Sequence, residues 1–474
     1  MQMFSLLLST ALVLPLGGAS EGEDLERALA AISAEHARAD LHFLASDEMA
    51  GRDTPSPGLR IAARFIAARM DRLGFTPAGD REYFADYQLM RAGLDVEACQ
   101  ATLTVGGEKH GLAMPADYYV HSNGIDDMDV SGEAVFVGTS TAAELEGLDL
   151  SGKWAVCLTS RDVSWRDRSA AARAAGAIGL LTLPGTDRDA ERYDQNAQRM
   201  LRRLGGGRLQ VREPAWPIAY LSPKHVPAVL PAGAETPLGT ALPVRFADSR
   251  RISADSEVLD LENVAALWPG SDPEIGKEVI IVSAHYDHVG TNGEQIFNGA
   301  DDNGSGTTGL LQIAEALQAH GPLRRSVLLL WVSGEEKGLL GSYAWTKRPT
   351  LPRGYTPVAN LNIDMIGRNA PDYLMITPTQ DRPEYNFIVK RFEEFAPLEG
   401  FPKLENADAY YHRSDQANFS RNLGIPVAFL FTDVHEDYHQ ASDTPDKIDY
   451  DKLARVCRLV VRMIASLQDD QLDS

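Results

Sequence analysis

The segment EVIIVSAHYDH, residues 278–288, joins a continuous apolar run to two histidines and an aspartate. Three later runs share this apolar character: SVLLLWVS (326–333), VANLNI (358–363) and PVAFLF (426–431). Unbroken apolar runs are typical of strands buried on both faces, as in parallel sheets. Helical patterns lie between and after these runs, at 305–319, 384–396 and 447–467. The sequence therefore predicts an α/β domain whose mostly parallel central sheet is flanked by helices.

Residues 95–253 differ in texture from the sequence on either side. Short apolar runs alternate there with glycine turns: EAVFVG (133–138), KWAVCLT (153–159) and GLLTL (179–183). A short alanine-rich helix is expected at 169–175. We interpret 95–253 as a small β-rich domain inserted into a larger one, which takes up 20–94 and 254–474. In the larger domain, apolar residues at helical spacing predict helices at 23–46 and 59–73.

An arginine-rich stretch lies within the predicted insert. Residues 188–212 hold seven arginines and the run Gly205-Gly206-Gly207. Runs of like charge are commonly solvated surface segments. We therefore expect a solvated loop here, and the alternative is a mobile lid or an anion-binding loop.

The composition excludes several classes of function. The chain has 474 residues and a formal net charge of −22. An acidic chain binds nucleic acids and anionic membranes poorly, so no nucleic-acid partner is expected. Three cysteines, Cys99, Cys157 and Cys457, are too few for a disulfide scaffold or a cysteine-rich zinc site. Buried thiols are expected at Cys157 and Cys457, and the pairing of Cys99 with Cys157 is left open.

The first residues predict export. FSLLLSTALVLPL (4–16) is an apolar run followed by GGAS (17–20). Such a run suits a signal peptide and is shorter than the ~20 residues that a membrane-spanning helix needs. Gly17 and Ala19 supply small residues for cleavage after Ala19, although no Lys or Arg precedes the run. We expect a signal peptide over 1–19, a periplasmic or secreted protein and no membrane span. The alternative is a buried N-terminal strand.

Residue types that bind metals follow each strand of the predicted sheet. They are His285, Asp287, Glu335, Glu336, Asp364, His435 and His439, with Asp301 and Asp302 at the start of the helix after the first strand. Ligands of open α/β sheets bind beyond the carboxyl ends of the strands, so these side chains are expected to meet. Taken singly, most have an ordinary explanation, such as carboxylates at a helix N-terminus. Asp364 is the exception, since a charge between Ile363 and Met365 needs a partner or a metal.

Imidazoles and carboxylates without a thiolate are ligands typical of catalytic zinc, cobalt or manganese. Two imidazoles and three carboxylates are too many for one four-coordinate zinc with an open position. They fit two metals that share a bridging carboxylate. The neighbours Glu335 and Glu336 then divide into one proton acceptor and one ligand. His412 and His435 compete with His439 for the ligand role.

The order and spacing of these motifs resemble a known family. AHYDH, GADDNGSG, SGEEKGLLGS, NIDMIGR, YYHRSDQANF and DYHQASDTPDKID resemble the motifs of the bacterial leucyl-aminopeptidase and glutamate-carboxypeptidase family of dizinc exopeptidases. The resemblance covers roughly 255–470. LASDEMAGRDTPSPG near the N-terminus is similar to that family's first segment, and the insert is similar to a protease-associated domain.

The resemblance implies a role for each ligand. Asp302 would bridge two zinc ions, with His285 and Asp364 completing one site and Glu336 and His439 the other.

It also implies roles for three residues that do not bind metal. Glu335 would be the general base, and Asp287 would orient His285. Tyr411 matches a position where some relatives place a phenol near the tetrahedral intermediate, and a packing aromatic is the alternative. Gln416 stands where the family often has His, so no role is transferred to it.

The implied function is that of a secreted metallo-aminopeptidase. It would hydrolyse the N-terminal peptide bond of peptide substrates through a hydroxide that bridges two Zn²⁺ ions, with Glu335 as the base and Co²⁺ or Mn²⁺ as alternative metals. Other activities on similar scaffolds are a single-zinc glutaminyl cyclase, a carboxypeptidase acting on acidic residues and a non-catalytic receptor-like ectodomain. The preferred N-terminal residue and the oligomeric state are left open.

Overall fold

The computed structural model describes residues 21–121, 125–205, 209–212, 215–469 and 472. The predicted signal peptide lies outside these residues. The chain divides into two compact units, Met1–Asp86 with Glu262–Ser474, and Tyr87–Leu261. The second unit is wider than the predicted 95–253, and its two limits fall within the strands Phe84–Arg91 and Glu257–Trp268.

The first unit is built on the predicted α/β sheet. Its strands lie side by side in the order Glu405–Asn406, Met375–Thr377, Val427–Phe431, Thr356–Ile363, Glu278–His285, Ser326–Val332 and Glu257–Trp268, with Thr76–Pro77 paired to the last. The four strands from Val427–Phe431 to Ser326–Val332 are parallel neighbours. Their side chains are almost all buried, as their unbroken apolar sequences predict. The predicted fold class is confirmed.

The register of these strands places their carboxyl ends side by side. His285 lies opposite Val332, Ser283 opposite Asn362, and Ile363 opposite Leu430. The residues that follow each strand therefore leave the sheet at the same edge.

Helices cover this sheet. They are Glu21–Ala31, Ala34–Leu44, Pro57–Leu73, Gly306–His320, Leu340–Lys347, Phe387–Phe395, Gln416–Leu423 and Tyr450–Ser466. The helix predicted at 23–46 is two helices, because the Ser33 side chain accepts the His36 N–H at 3.2 Å and starts a new helix. None of the helices in the described ranges is long and apolar enough to cross a membrane.

The second unit is β-rich. Its main sheet has the order Glu108–Leu112, Gln100–Val105, Ala241–Arg250, Met128–Phe136, Trp154–Leu158, Gly179–Leu183, Ile218–Leu221 and Tyr118–Val120. Leu209–Val211 pairs instead with the end of Phe84–Arg91. Its helices are Trp165–Ala174, Asp187–Glu191, Tyr193–Gly205 and Val226–Val229. The resemblance to a protease-associated domain stays a prediction.

The prediction of a loop at 188–212 is wrong. The stretch contains the helix Tyr193–Gly205, whose polar face carries exposed arginines. Tyr193, Ala197 and Leu204 are buried at helical spacing. The arginines masked an amphipathic pattern, in which charged residues cover only the solvent side.

All three cysteines are free thiols. Cys157 and Cys457 are buried, as predicted. Burial raises the pKa of Cys157 to about 11 and that of Cys457 to about 12.

Candidate metal centre

The carboxyl-end edge of the parallel strands gathers the five predicted metal ligands. His285 ends the strand Glu278–His285, and Asp364 directly follows Thr356–Ile363. Glu336 lies in the turn after Ser326–Val332, and His439 in the loop after Val427–Phe431. Asp302 lies in the turn Ala300–Ser305, just before the helix Gly306–His320. The level strand ends explain why residues so distant in sequence meet here.

Asp302 lies between two groups of ligands. Its Oδ1 atom is 3.5 Å from Nε2 of His285, and its Oδ2 atom is 3.0 Å from Nε2 of His439. On the first side, His285 Nε2 is 3.2 Å from Oδ1 of Asp364. On the second side, His439 Nε2 is 3.2 Å from Oε2 of Glu336. One carboxylate thus faces both groups, which is the arrangement expected of a bridging ligand.

The donor set fits a pair of borderline metals such as zinc. Ligand atoms lie within 4.8 Å of one another in two groups. The first group is His285, Glu335 and Asp364, and the second is His288, Asp302, Glu336 and His439. All are imidazole nitrogens or carboxylate oxygens, which zinc accepts. Nε2 of His439 is buried and forms no well-aligned hydrogen bond to any residue that the structure describes. A metal ion would satisfy this nitrogen.

His288 belongs to the site and was missed from the sequence. Its ring is fully buried, and Nδ1 lies 3.1 Å from Oε1 of Glu336 and 3.8 Å from Oδ2 of Asp302. A Cβ at Gly299 would come within 2.4 Å of the ring, so only glycine leaves it room. The sole signal was its place directly after Asp287.

The competing histidines lie elsewhere. His435 Nε2 is 3.2 Å from Oδ2 of Asp301 and lies in neither ligand group. His412 is exposed and also lies in neither group. His439 is therefore the histidine of this segment that reaches the site.

Glu335 lies beside both ligands of the first group. It shares that group with His285 and Asp364. Burial, together with the charges of Glu336 and Asp415, holds the pKa of Glu335 well above its usual range. A carboxylate in such surroundings readily takes up a proton.

Asp287 is fully buried, but its carboxylate is not the group closest to His285. Nδ1 of His285 is 3.2 Å from the main-chain oxygen of Asp287 and 3.7 Å from its Oδ1. The carboxylate accepts instead from the Glu335 N–H at 3.2 Å and the Thr54 hydroxyl at 3.0 Å. Asp287 therefore orients His285 mainly through its backbone.

The phenol predicted for Tyr411 does not reach the site. Tyr411 is buried in the apolar core, and its hydroxyl donates to Oγ of Ser420 at 2.9 Å. Its neighbour Tyr410 and the more distant Tyr438 line the site cavity instead. The motif predicts a tyrosine near the site. After the tight turn at 408–410, however, the side chain of Tyr411 packs in the core, and that of Tyr410 lines the cavity.

The mutual electrostatics of the ligands is strong. Burial would lower the pKa of His439, but the carboxylates of Asp302 and Glu336 outweigh it and raise that pKa to about 10. Burial and the charge of Glu336 raise the pKa of Asp302 to about 6. Burial opposes ionisation of Glu336, yet the neighbouring imidazoles of His288 and His439 hold its pKa below the usual range.

The ligands open into a cavity at the edge of the sheet. Four carboxylates line it: Asp302, Glu335, Glu336 and Asp364. The remaining wall is mainly apolar and aromatic: Met365, Tyr410, Phe429, Phe431, Val434 and Tyr438. Apolar walls with a few converging polar groups are typical of small-ligand sites.

Comparison with known proteins agrees with this geometry. Residues 263–464, which contain all five ligands, match the family model described as "Peptidase family M28". The matched residues make up less than half of the chain. The resemblance read from the motifs is thereby confirmed for this region.

The chain is also similar to curated proteins. A probable leucine aminopeptidase of Arthroderma otae is 31% identical over 209 residues, 42% of this chain and 56% of the relative. Leupeptin-inactivating enzyme 1 of Streptomyces exfoliatus is 33% identical over 171 residues, 36% of this chain and 35% of the relative. The chain thus spans about half the length, or less, of the curated relatives it matches.

A solved structure also aligns with the chain. The aminopeptidase from Aneurinibacillus sp. strain AM-1 aligns with a TM-score of 0.49 at 22% identity, covering 93% of this chain and 95% of that one.

Proposed function

We propose that this protein is a zinc-dependent aminopeptidase that removes the N-terminal residue from peptides. The observation that carries the proposal is the position of Asp302, whose two carboxylate oxygens face His285 and His439 on opposite sides. The M28 match and the leucine aminopeptidase relatives support the same activity.

Two metal ions would be held by the five predicted ligands. His285 and Asp364 would hold one ion, Glu336 and His439 the other, and Asp302 would join them. When bound, zinc supplies a water of low pKa and a Lewis acid for the scissile carbonyl. Ser414 donates to Oδ2 of Asp364 at 2.8 Å and so leaves Oδ1 directed at His285.

Glu335 would move the proton. Its carboxylate lies with the first group of ligands, and its raised pKa suits a group that accepts a proton and then releases it. Glu335 takes the proton from the attacking water and donates it to the leaving amine. The backbone bond from the Glu335 N–H to Asp287 fixes the start of this side chain.

The cavity supports an uncharged, bulky N-terminal residue as the preferred substrate. An apolar side chain would bury itself against Phe429, Phe431 and Met365. The positively charged N-terminal amine of a peptide would be attracted by the carboxylates of Glu335 and Asp364, which line the same cavity. Only the attraction of the amine requires a free N-terminus.

Arg413 gives the alternative carboxypeptidase a specific observation. It is the one arginine among the residues that line the cavity, and its guanidinium lies 5.0 Å from the ring centroid of Tyr410. A single cation can pair with one substrate carboxylate. An activity on acidic C-terminal residues would need that pairing to outweigh the neighbouring carboxylates.

Purified protein supplied with zinc distinguishes these activities. Leucine p-nitroanilide should be cleaved, whereas its N-acetylated form should not. Preferential release of C-terminal glutamate from N-blocked peptides would favour the carboxypeptidase. Conversion of N-terminal glutamine to pyroglutamate, without hydrolysis, would favour the glutaminyl cyclase. Zinc binding without turnover in any assay would favour the receptor-like protein.

We also propose that the protein is exported to the periplasm or the medium. The apolar run 4–16 and the small residues Gly17 and Ala19 support this proposal. N-terminal sequencing of the protein recovered outside the cytoplasm should begin at Ser20. An intact Met1 on the recovered protein would contradict cleavage.

A further inference from the structure

The segment GRDT, residues 51–54, runs beside the strand end that carries the first ligand. The His288 N–H donates to the Arg52 carbonyl at 3.2 Å, and the Gly290 N–H donates to the Gly51 carbonyl at 3.2 Å. Gly51 has φ +66°, and a Cβ there would lie 2.3 Å from the Phe297 carbonyl oxygen. The mechanism proposed above gives this segment no role.

Arg52 ties together two of the ligand-bearing loops. Its guanidinium is buried and donates to main-chain carbonyls, including those of Tyr286 at 3.0 Å and Gly299 at 2.8 Å. Tyr286 follows His285, and Gly299 lies three residues before Asp302. The guanidinium therefore links the backbone next to His285 to the backbone just before Asp302.

Thr54 makes the second link. Its side chain is 2% exposed. Its hydroxyl donates to Oδ2 of Asp287 at 3.0 Å and accepts from the Gly334 N–H at 3.1 Å. A threonine hydroxyl has one donor and two acceptor lone pairs, so a single side chain can make both bonds.

Asp287 completes a closed connection. Its Oδ1 accepts from the Glu335 N–H at 3.2 Å, while its Oδ2 is held by Thr54. Consecutive backbone amides, of Gly334 and Glu335, are thereby fixed to one carboxylate and one hydroxyl. These amides directly precede the side chains of Glu335 and Glu336, so small shifts of the turn would move both.

We infer that Thr54 is a positioning residue of the metal centre, which sets where Glu335 and Glu336 lie relative to Asp287 and His285. This inference rests on the proposed function for the roles of the two glutamates. Removal of the hydroxyl leaves a buried carboxylate oxygen and a buried N–H without a partner. The turn then relaxes, and the ligand Glu336 moves away from the position that holds metal.

The test compares Thr54→Val with Thr54→Ser. Valine keeps the shape and removes the hydroxyl, whereas serine keeps the hydroxyl and removes the methyl. Thr346→Val is the matched control, since Thr346 is 3% exposed and its hydroxyl donates to the Ser342 carbonyl at 2.8 Å, within a helix that holds no ligand. Zinc affinity of each metal-free protein is measured by competition with a chromophoric chelator, alongside thermal unfolding and the kcat of the zinc-loaded protein.

Thr54→Val should weaken zinc binding by about tenfold, the low end of the loss when a residue that orients a metal ligand is removed, because Thr54 acts through Asp287 and Gly334. Thr54→Ser should stay within about threefold of the wild type, as its hydroxyl remains. Thr346→Val should lose thermal stability and keep its zinc affinity. A Thr54→Val protein with wild-type zinc affinity and kcat would overturn the inference, as would a Thr54→Ser protein impaired as strongly as Thr54→Val.

If Thr54→Val does not fold, Thr54→Ala and Thr54→Ser are compared in the same assays, and equal zinc affinities would contradict the inference. If the wild type binds zinc but cleaves no aminoacyl substrate, the proposed function fails. The zinc affinities of the Thr54 variants then still decide the positioning role. A wild type that binds no zinc overturns both.

Discussion

Asp302 Oδ2 lies 3.0 Å from Nε2 of His439, a residue that reaches the site from a loop more than a hundred positions further along the chain. The other oxygen of the same carboxylate faces His285 at 3.5 Å. This double contact gives two ligand groups a shared member. It explains why a chain with five separate ligand segments can build a single centre.

Glu335→Gln tests the proton acceptor. The amide preserves the shape of the side chain but cannot accept a proton, so kcat should fall at least ~10²-fold while metal content stays the same. Steady-state kinetics on leucine p-nitroanilide and metal analysis measure the two quantities. Glu294→Gln is the matched control, because Glu294 is exposed. Unchanged turnover in Glu335→Gln would refute the assignment.

Zinc affinity should increase with pH. The carboxylates around His439 raise its pKa to about 10, so in the metal-free protein the imidazole is protonated at neutral pH. Zinc binds the neutral ring and must displace that proton, which weakens binding about tenfold for each unit of pH below the raised pKa. Isothermal titration calorimetry between about pH 6 and pH 8, in buffers of different ionisation enthalpy, should show at least one proton released. A pH-independent affinity would be inconsistent with this.

The same raised pKa affects the metal-free fold with a defined sign. The folded pKa of His439 lies above its ordinary value of 6.5. Its ion pairing therefore stabilises the metal-free protein fully below that ordinary value, and the contribution is lost as the pH rises through about 10.

Tyr411→Phe should leave catalysis nearly unchanged. The hydroxyl of Tyr411 bonds to Ser420 inside the core, so its loss should lower the free energy of unfolding by about 1 kcal/mol. Urea unfolding measures that change, and kcat/KM should stay close to the wild-type value. A tenfold or greater loss of kcat at unchanged stability would show that the Tyr411 hydroxyl takes part in the reaction.

Val434→Asp tests the cavity as the specificity site. Val434 lines the cavity and is 38% exposed, so a carboxylate there is tolerated by the fold. The ratio of kcat/KM for lysine over leucine p-nitroanilide should rise about two- to fivefold, the range of an exposed charge pair. Ile61→Asp, at a 47% exposed position of the helix Pro57–Leu73, should not change the ratio. Equal changes of this ratio in both variants would show that the cavity does not determine the preference for the substrate's N-terminal side chain.

Much of the fold could be predicted because burial on both faces leaves a visible trace. The runs at 278–284 and 358–363 are mainly apolar, and both are strands in the structure. The carboxyl ends of neighbouring parallel strands lie at the same edge of the sheet, so the residues that follow them are expected to lie close together. The sequence alone therefore predicts that His285 and Asp364 lie close together.

Other features depend on contacts that sequence spacing does not encode. Tyr411 and Tyr410 are neighbours, and only the path of the turn decides which one faces the cavity. His288 joins the site because Gly299 leaves space for its ring. Thr54 acts across a long sequence separation through a single hydroxyl. Such side-chain directions are set by tertiary packing.

The central claim is that one carboxylate joins two metal ions at the edge of the sheet. Diffraction from zinc-soaked crystals, recorded on both sides of the zinc absorption edge, tests it most directly. The account predicts two anomalous peaks about 3.5–4 Å apart, one beside His285 and Asp364 and the other beside Glu336 and His439, with Asp302 between them. A single peak, or peaks away from Asp302, would contradict it.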